Sequence, residues 1–460
     1  MKKSIKYISM LFAVIVLTIL ASGSLMAQEA ATVTPVIDSG DTAWMIVATA
    51  LVLLMTIPGL AFFYGGLVRQ KNVLNIMMQC VILTAAITVQ WIVFGYSISF
   101  GSSSGALAPF IGGLDWAFLK GIGIADLSPY FISHSQPTAD GGTIGTIPHI
   151  VFILFQGMFA VITPALIIGA FAERIKFSGF LVFSLLWATF VYDPIAHWVW
   201  SGDGWLFKLG ALDFAGGTVV HVNAGIAALV TAILIGKRKN YKGHAIPPHN
   251  IPFVILGTAL LWFGWIGFNA GSGLAADGLA ASAFLVTHLA TATSAVTWVI
   301  LDKIFNKKAT VVGIATAAVG GLVAITPAAG FVDVTGAILI GLGVAVICFI
   351  MVGYGKSKFG YDDTLDAFGV HGVGGIWGAI ATGLFATTTV QNYSGLFYGN
   401  AGQLVTQLIA TGATILYSGV MTFILFKITD KLVGIKVTSK EEAVGLDLSQ
   451  HKEIAYTAID

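Results

Sequence analysis

Eleven long apolar runs, each with almost no charge, dominate this chain. They fall at about 43–64, 75–100, 147–171, 177–200, 217–236, 251–270, 279–300, 310–326, 334–353, 367–387 and 405–427. A helix needs about 20 apolar residues to cross a bilayer, with a range of about 17–25. The runs therefore read as membrane helices, and the expected fold is an all-α polytopic membrane protein with eleven transmembrane helices. Composition agrees. Only 10% of residues are charged, where a soluble domain carries about a quarter. Glycine is abundant at 55 residues, as suits helices that pack closely in lipid. A net charge of +1 leaves no basic face for nucleic acid. The two cysteines, Cys80 and Cys348, lie inside apolar runs. They read as small buried hydrophobes, with no disulfide, metal site or redox pair.

The loops give the orientation. Residues 1–27 have the pattern of a signal peptide: Lys2, Lys3 and Lys6, an apolar stretch from Met10 to Leu20, and a small residue, Ala27, at the expected cleavage point. An uncleaved first span is the alternative. Removal of the peptide puts the mature N-terminus outside, and an odd number of spans then puts the C-terminus in the cytoplasm. The distribution of Lys and Arg tests this independently. Arg69, Lys71, Arg174, Lys176, Lys237 to Lys242, Lys303 to Lys308, Lys356 and Lys358 fall in loops assigned to the cytoplasm, as do the lysines of the tail. The loops assigned to the outside hold Lys120 and Lys208. The longest connection, about 101–146, is external and rich in Gly, Ser and Pro. It is expected to cap the outer surface, with His134 solvated. The membrane domain spans 41–430, and a polar tail of 431–460 follows.

Two stretches echo each other. ALDFAGGTVVHVNAG carries Asp213 and His221, and TLDAFGVHGVGGIWG carries Asp366 and His371. Each shows Leu-Asp, a small-residue turn, and a histidine within an apolar helix. An ionisable side chain inside a span is a functional candidate. His221 lies in the fifth span and His371 in the tenth. Five spans per unit is odd, so the second unit is inverted, giving repeats of about 41–236 and 250–387 with an extra helix at about 405–427. Such repeats place a site at the midplane where they meet. Asp366 reads mainly as a helix cap. Asp213 reads equally as a cap and as an acid attracting cations at the outer mouth.

Other candidates are less specific. DPIAHWVWSGDGW ends the fourth span; its Trp198, Trp200 and Trp205 suit either an interfacial belt or a cation–π surface. Asp193 and His197 are four apart and are expected to pair. WFGWIGFNAGSG in the sixth span holds Trp265, Phe268 and Ser272, and Phe155 and Phe159 form an i,i+4 stripe in the third. Taken alone, each aromatic is core as readily as gate. His149 is expected at a solvated edge, and His288 reads as structural.

Together the motifs MTIPGLAFFYGGLVRQKNVLNIMMQ, GAFAERIKFSGFLVFSLLW, DFAGGTVVHVNAG, WFGWIGFNAGSG and DAFGVHGVGGIWG resemble the ammonium transporter (Amt/Mep/Rh) family, and its Amt branch. The resemblance covers nearly all of 41–460. It implies a homotrimer with one pore per subunit in the cell membrane, here a bacterial inner membrane. It implies that His221 and His371 are the twin pore histidines and that Phe159 and Phe268 are the stacked pore gate. Recruitment of ammonium falls to Trp200 and Ser272 above the Phe159 floor, with Asp213 as the essential outer acid. Phe155, Trp265 and Asp366 take supporting positions. The resemblance names no cofactor, metal or catalytic residue, so the protein is expected not to be an enzyme. The tail GLDLSQHKEIAY resembles the family's regulatory end, which a PII-type nitrogen-regulatory protein can engage, although Lys452 stands where glycine is usual.

The chemistry is coherent with that expectation. An intact ammonium ion entering a dry pore loses its hydration at a cost of many kcal/mol. A tryptophan face and a hydroxyl replace part of that shell at the mouth. Deeper in, removing the proton is cheaper, and neutral imidazoles offer a donor and an acceptor each. An ammonium sensor that moves little substrate and a neutral-solute channel are the alternatives. A metalloenzyme is weaker, because no two histidines share metal-ligand spacing within one span.

Overall fold

A computed structural model describes residues 36–138, 142–239, 241 and 246–456. The signal-peptide reading of 1–27 and the cation Lys242 lie outside the described residues. Among the described residues, ten helices are long and apolar enough to cross a membrane. They are α1 Ser39–Leu67, α2 Gln70–Phe100, α3 His149–Phe171, α4 Phe177–Lys208, α5 Gly217–Ile235, α6 Ile251–Gly273, α7 Gly278–Asn306, α9 Val334–Phe359, α10 Phe368–Phe385 and α11 Ala401–Val433. The fifteen-residue apolar helix α8, Val311–Ile325, stands where the eighth span is expected. The fold is the all-α polytopic one expected, and a short helix α12, Ser439–Val444, lies in the tail.

Local sequence explains where the helices begin. Asp38, Asn250, Asp277, Thr310, Asp333 and Asn400 each accept the backbone N–H that opens α1, α6, α7, α8, α9 and α11. Side-chain oxygens at this position satisfy donors that have no partner within the helix. The centre is tightest around α3 and α5, which are buried on nearly every face. α5 and α10 cross backbone against backbone. A side chain at Gly225 of α5 would fall within the backbone of Gly372, and one at Gly375 of α10 would meet Val222 and His221. The contact is reciprocal, as a two-fold relation between halves requires, and it occurs beside both histidines. α11 is pinned to this crossing. Gln407 accepts from Leu212 N (2.7 Å) and donates to Leu212 O (2.7 Å) and Ala379 O (3.2 Å), and Ser418 donates to Asn223 O (2.9 Å).

The two faces of the bundle differ. On one, the long 101–146 loop covers the helix ends and includes a two-stranded antiparallel hairpin, β1 Ser135–Pro137 with β2 Thr143–Gly145. His134 is half exposed but not merely solvated: its Nδ1 lies 2.9 Å from Asp41 Oδ2. The same Asp41 accepts from Thr146 Oγ1 (2.6 Å) and Ala276 N (2.8 Å), tying the loop to α1 and to the start of α7. The other face carries the Lys- and Arg-rich loops. Arg69, Glu173, Arg238, Asp362 and Arg174 form one buried ionic chain there, with contacts of 2.7–3.3 Å. Burial pushes Glu173 up, but Arg69 and Arg238 outweigh it and hold its carboxyl below the ordinary value. The tail is stitched across these loops. Val437 N donates to Arg174 O, Leu446 N to Asn72 Oδ1, Asn75 N to Asp447 Oδ1 and Lys239 N to Glu442 Oε1.

Candidate functional site

Three cavities follow one another through the centre. The first opens on the loop-covered face, has a volume of about 400 Å³, and is lined by Trp200, Phe159, Ser272, Asp213, Gln156 and Tyr130, among others. The second is a slit of about 10 Å³ between His221, His371, Phe268, Trp265 and aliphatic side chains including Ile162, Leu166 and Val319. The third, about 100 Å³, opens toward the basic face and is lined by His371, Tyr64, Leu365, Asp366 and Lys356. His371 borders the second and third. Phe159 borders the first and Phe268 the second, and their rings lie 4.3 Å apart at 35°.

The phenylalanine pair is held from both sides. Phe155 packs edge-on against Phe159 at 5.0 Å, and Trp200 meets the other side of Phe159 at 5.8 Å and 89°. Trp200 is fixed in turn by its Nε1, which donates to Asp213 O (2.9 Å). Ser272 Oγ donates to Phe268 O (2.8 Å), so the hydroxyl of the first cavity is bonded to the backbone of the residue that supplies the second ring of the pair. The five residues expected at recruitment and gate, Asp213, Trp200, Phe159, Phe268 and Ser272, are thus linked by contacts into one chain.

Beyond the Phe159–Phe268 pair, the two histidine rings lie 5.3 Å apart and nearly parallel, at 16°. Trp265 stacks on His221 at 5.4 Å and 19°, and its Nε1 donates to Thr326 Oγ1 (2.9 Å), which fixes the stack. Among the described residues, neither ring nitrogen of His221 nor the Nδ1 of His371 has a hydrogen-bond partner. Buried polar atoms are normally paired. These nitrogens belong to the two rings that line the slit.

The acids fall into a pattern that the sequence reading misassigned. Asp213 Oδ1 accepts from Gly216 N (2.9 Å) and Gly217 N (2.6 Å), and Oδ2 from Thr218 N (2.8 Å) and Val219 N (3.0 Å). It lines the first cavity, but both oxygens cap α5. Burial pushes its carboxyl up, against those four donors. The matching cap of α10 is Asp363, which accepts from Ala367 N (3.1 Å) and Phe368 N (2.8 Å). Asp366, expected to cap, instead pairs with Lys356, its Oδ1 2.5 Å from Nζ. The signal was present. Asp363 precedes His371 by the same interval as Asp213 precedes His221, whereas the Leu-Asp match drew attention to Asp366, three residues too late. Burial, then the neighbouring Asp366 carboxylate, pushes Asp363 up to about 6, against Lys356 and the two N–H donors.

Other candidates separate from the site. Asp193 and His197 do not pair. Asp193 Oδ2 accepts from Gln90 Nε2 (2.7 Å), while the His197 ring nitrogens lie against Ser99 O and Ala108 O. A helix turn sets the two residues on one face, but α2 and the long loop offer each a closer partner. Trp198 Nε1 donates to Phe110 O, so this tryptophan anchors the loop and does not line the cavity. His149 is buried, with Nε2 at the Tyr96 hydroxyl. His288 lies against Trp262 with ring centroids 5.4 Å apart and a tilt of 40°, away from all three cavities. Among the described residues, no group of three or more His, Cys, Asp or Glu could hold a metal ion.

Known proteins resemble this chain over most of its length. The sequence profile of the Ammonium Transporter Family matches residues 43–456. The chain is 49% identical over 419 residues to an ammonium transporter of Bacillus subtilis (strain 168), covering 91% of this chain and 98% of that protein. It is 46% identical over 420 residues to ammonium transporter Amt1 of Archaeoglobus fulgidus, covering 91% and 100%. Its fold is similar to the crystal structure of Saccharomyces cerevisiae Mep2, with a TM-score of 0.80, 34% identity and coverage of 88% of this chain and 89% of that one. It is also similar to a solved sensor Amt protein, with a TM-score of 0.79 and 29% identity over 90% and 98%.

Proposed function

The chain belongs to the ammonium transporter family, and from that premise we propose that it carries ammonium, as ammonia plus a proton, through one central pore per subunit of a homotrimer. The basic face is the cytoplasmic one, by the positive-inside rule. The observation that carries the reading is the row of cavities: a wide outer one, a closed aromatic pair, a slit between two hydrogen-bond-poor imidazoles, and an inner opening.

Each part has a physical task. In the outer cavity the faces of Trp200 and Phe159 replace water around a cation, and Ser272 offers its hydroxyl. Asp213 serves this site through geometry, since it holds the start of α5 and, through its carbonyl, the Trp200 ring. The Phe159–Phe268 pair excludes water and hydrated ions. Past it, only a species that has shed its charge moves at low cost through the slit. The twin histidines supply the donors and acceptors that pass ammonia and its proton inward. Potassium has the same charge as ammonium but no proton to give up, so it meets a dry slit with too few ligands.

Ammonium-dependent current across bilayers holding the purified protein tests the reading, with methylammonium uptake as a second assay. Flux without charge would mean gas conduction, and neutral-solute flux indifferent to ammonium would point to another substrate class. The likeness to a sensor Amt protein supports one rival: binding of ammonium with little flux would identify a sensor. The docked tail carries the regulatory part. Deleting 440–460 is expected to leave a folded trimer whose activity, or whose response to a PII-type regulator, is altered. A truncated chain that aggregates in detergent would make the tail structural instead.

A further inference from the structure

The inner cavity contains a charge pair that the transport reading does not use. The Lys356 ammonium, on α9, lies 2.5 Å from Asp366 Oδ1 and donates to Asp363 O at 3.3 Å. The lysine side chain is 9% exposed and the aspartate 23%, so the pair is shielded yet open to the cavity. Asp366 holds a φ of +58°, in the left-handed region, which Asp tolerates better than most residues.

The other acids near this mouth are already engaged. Asp362 is bonded to Arg174 and Arg238, and Asp363 caps α10. Asp366 is the carboxylate that lines the cavity, and without Lys356 it would offer an anion to any cation arriving from the basic face. The group that occupies it is itself an alkylammonium, with the charge and N–H donors of the transported ion. A tethered group acts at an effective concentration of millimolar or more.

We propose that Lys356 is a built-in competitor for ammonium at the inner mouth: by occupying Asp366 it keeps that mouth a weak binding site, so ammonium delivered inside is released and does not block the pore as it accumulates. This rests on the transport reading. It is not a one-way valve. A passive pathway has equal low-concentration rate constants in both directions at zero driving force, and the tethered cation instead sets the concentration at which the inner side saturates.

The test uses full-length protein in right-side-out membrane vesicles. Initial uptake of labelled methylammonium is measured against increasing ammonium chloride loaded inside. With Lys356→Gln, the internal concentration that halves uptake should fall about threefold to tenfold, the range expected for freeing one partly shielded carboxylate. Lys356→Gln combined with Asp366→Asn should return to the wild-type value. Lys356→Arg keeps charge and pair, and should behave as wild type. A second measurement needs no flux: in detergent, Lys356→Gln should gain stabilisation against heating on addition of ammonium chloride relative to wild type, and the double variant should lose it. If wild type transports but neither internal block nor ammonium-dependent melting changes in Lys356→Gln, the inference is overturned and the transport reading stands. A Lys356→Arg variant that behaves like Lys356→Gln would also overturn it. If wild type moves no methylammonium while Lys356→Gln still gains stabilisation that Asp366→Asn removes, the inner-anion inference holds and the transport reading falls.

Discussion

The helices α5 and α10, which begin at Gly217 and Phe368, are built on one plan and finished differently. Each has an aspartate eight positions before its histidine, each aspartate caps the helix that carries the histidine, and the two helices cross through Gly225 and Gly375. Asp213, however, holds four N–H groups and among the described residues has no ion-pair partner, whereas Asp363 holds two and shares its surroundings with Asp366 and Lys356. The repeat fixes the centre, where the rings must meet, and leaves the mouths free to diverge. The outer mouth is aromatic, with its Asp213 carboxylate bonded to backbone N–H groups; the inner one contains an internal ion pair.

The largest expected effect breaks the centre. His221→Asp puts an acid and water into the slit and should admit potassium, seen as at least a tenfold gain in potassium current or as growth of cells lacking their own potassium uptake. The gain should increase with pH as the buried carboxyl ionises. His221→Ala should fold and lose transport or proton coupling without comparable potassium entry. A folded trimeric Asp variant that rejects potassium at every pH would show that deprotonation at the paired imidazoles does not set selectivity.

Next come the caps. Asp213→Ala removes acceptors for four N–H groups and Asp363→Ala for two, so the first should destabilise more, by about 1–2 kcal/mol. Thermal unfolding of both variants in one detergent compares them directly, and equal losses would mean that the two caps contribute alike. At the outer mouth, Trp200→Leu should weaken recruitment by about 1–2 kcal/mol, the size of a desolvated cation–π contact. It should appear as reduced uptake at micromolar ammonium, and unchanged uptake there would make Trp200 only part of the interfacial belt.

A smaller effect separates the two aspartates by pH. Burial, then the neighbouring Asp366 carboxylate, pushes Asp363 up to about 6 in the fold, above the ordinary 3.8. Its folded form binds the proton more tightly than the unfolded chain, so this group's contribution to stability is fully present below about 4 and is lost as pH rises through about 6. Asp363→Asn should flatten that part of the stability–pH curve measured by melting between those limits, and an unchanged slope would assign it to another group. The smallest effect concerns the tail. Lys452 holds a φ of +61°, so Lys452→Gly should relieve about 1 kcal/mol of backbone strain. Slower proteolysis of the docked tail in Lys452→Gly would register that gain.

Much was legible in the chain because burial in lipid leaves little choice. Apolar runs must be helices, loop cations orient them, and a histidine in hydrocarbon marks a site. His221 and His371 were named on that ground, Trp200, Phe159 and Phe268 through the family resemblance, and the fold brings the five together. What sequence could not rank was which polar groups meet across the bundle. Asp193 faces Gln90 and not its own helix neighbour His197, because the competing partners come from α2 and a loop nearly a hundred residues away in sequence. Asp366 was read as the echo of Asp213 from its Leu-Asp neighbours, but the helix begins where Asp363 can reach its N–H groups, and Asp366 is left to Lys356. Helix formation is a local matter of period and capping, and the sequence by itself determined it. The choice among acids and bases of similar kind depends on distances of a few ångströms between segments far apart in the chain, and only the tertiary structure decided it.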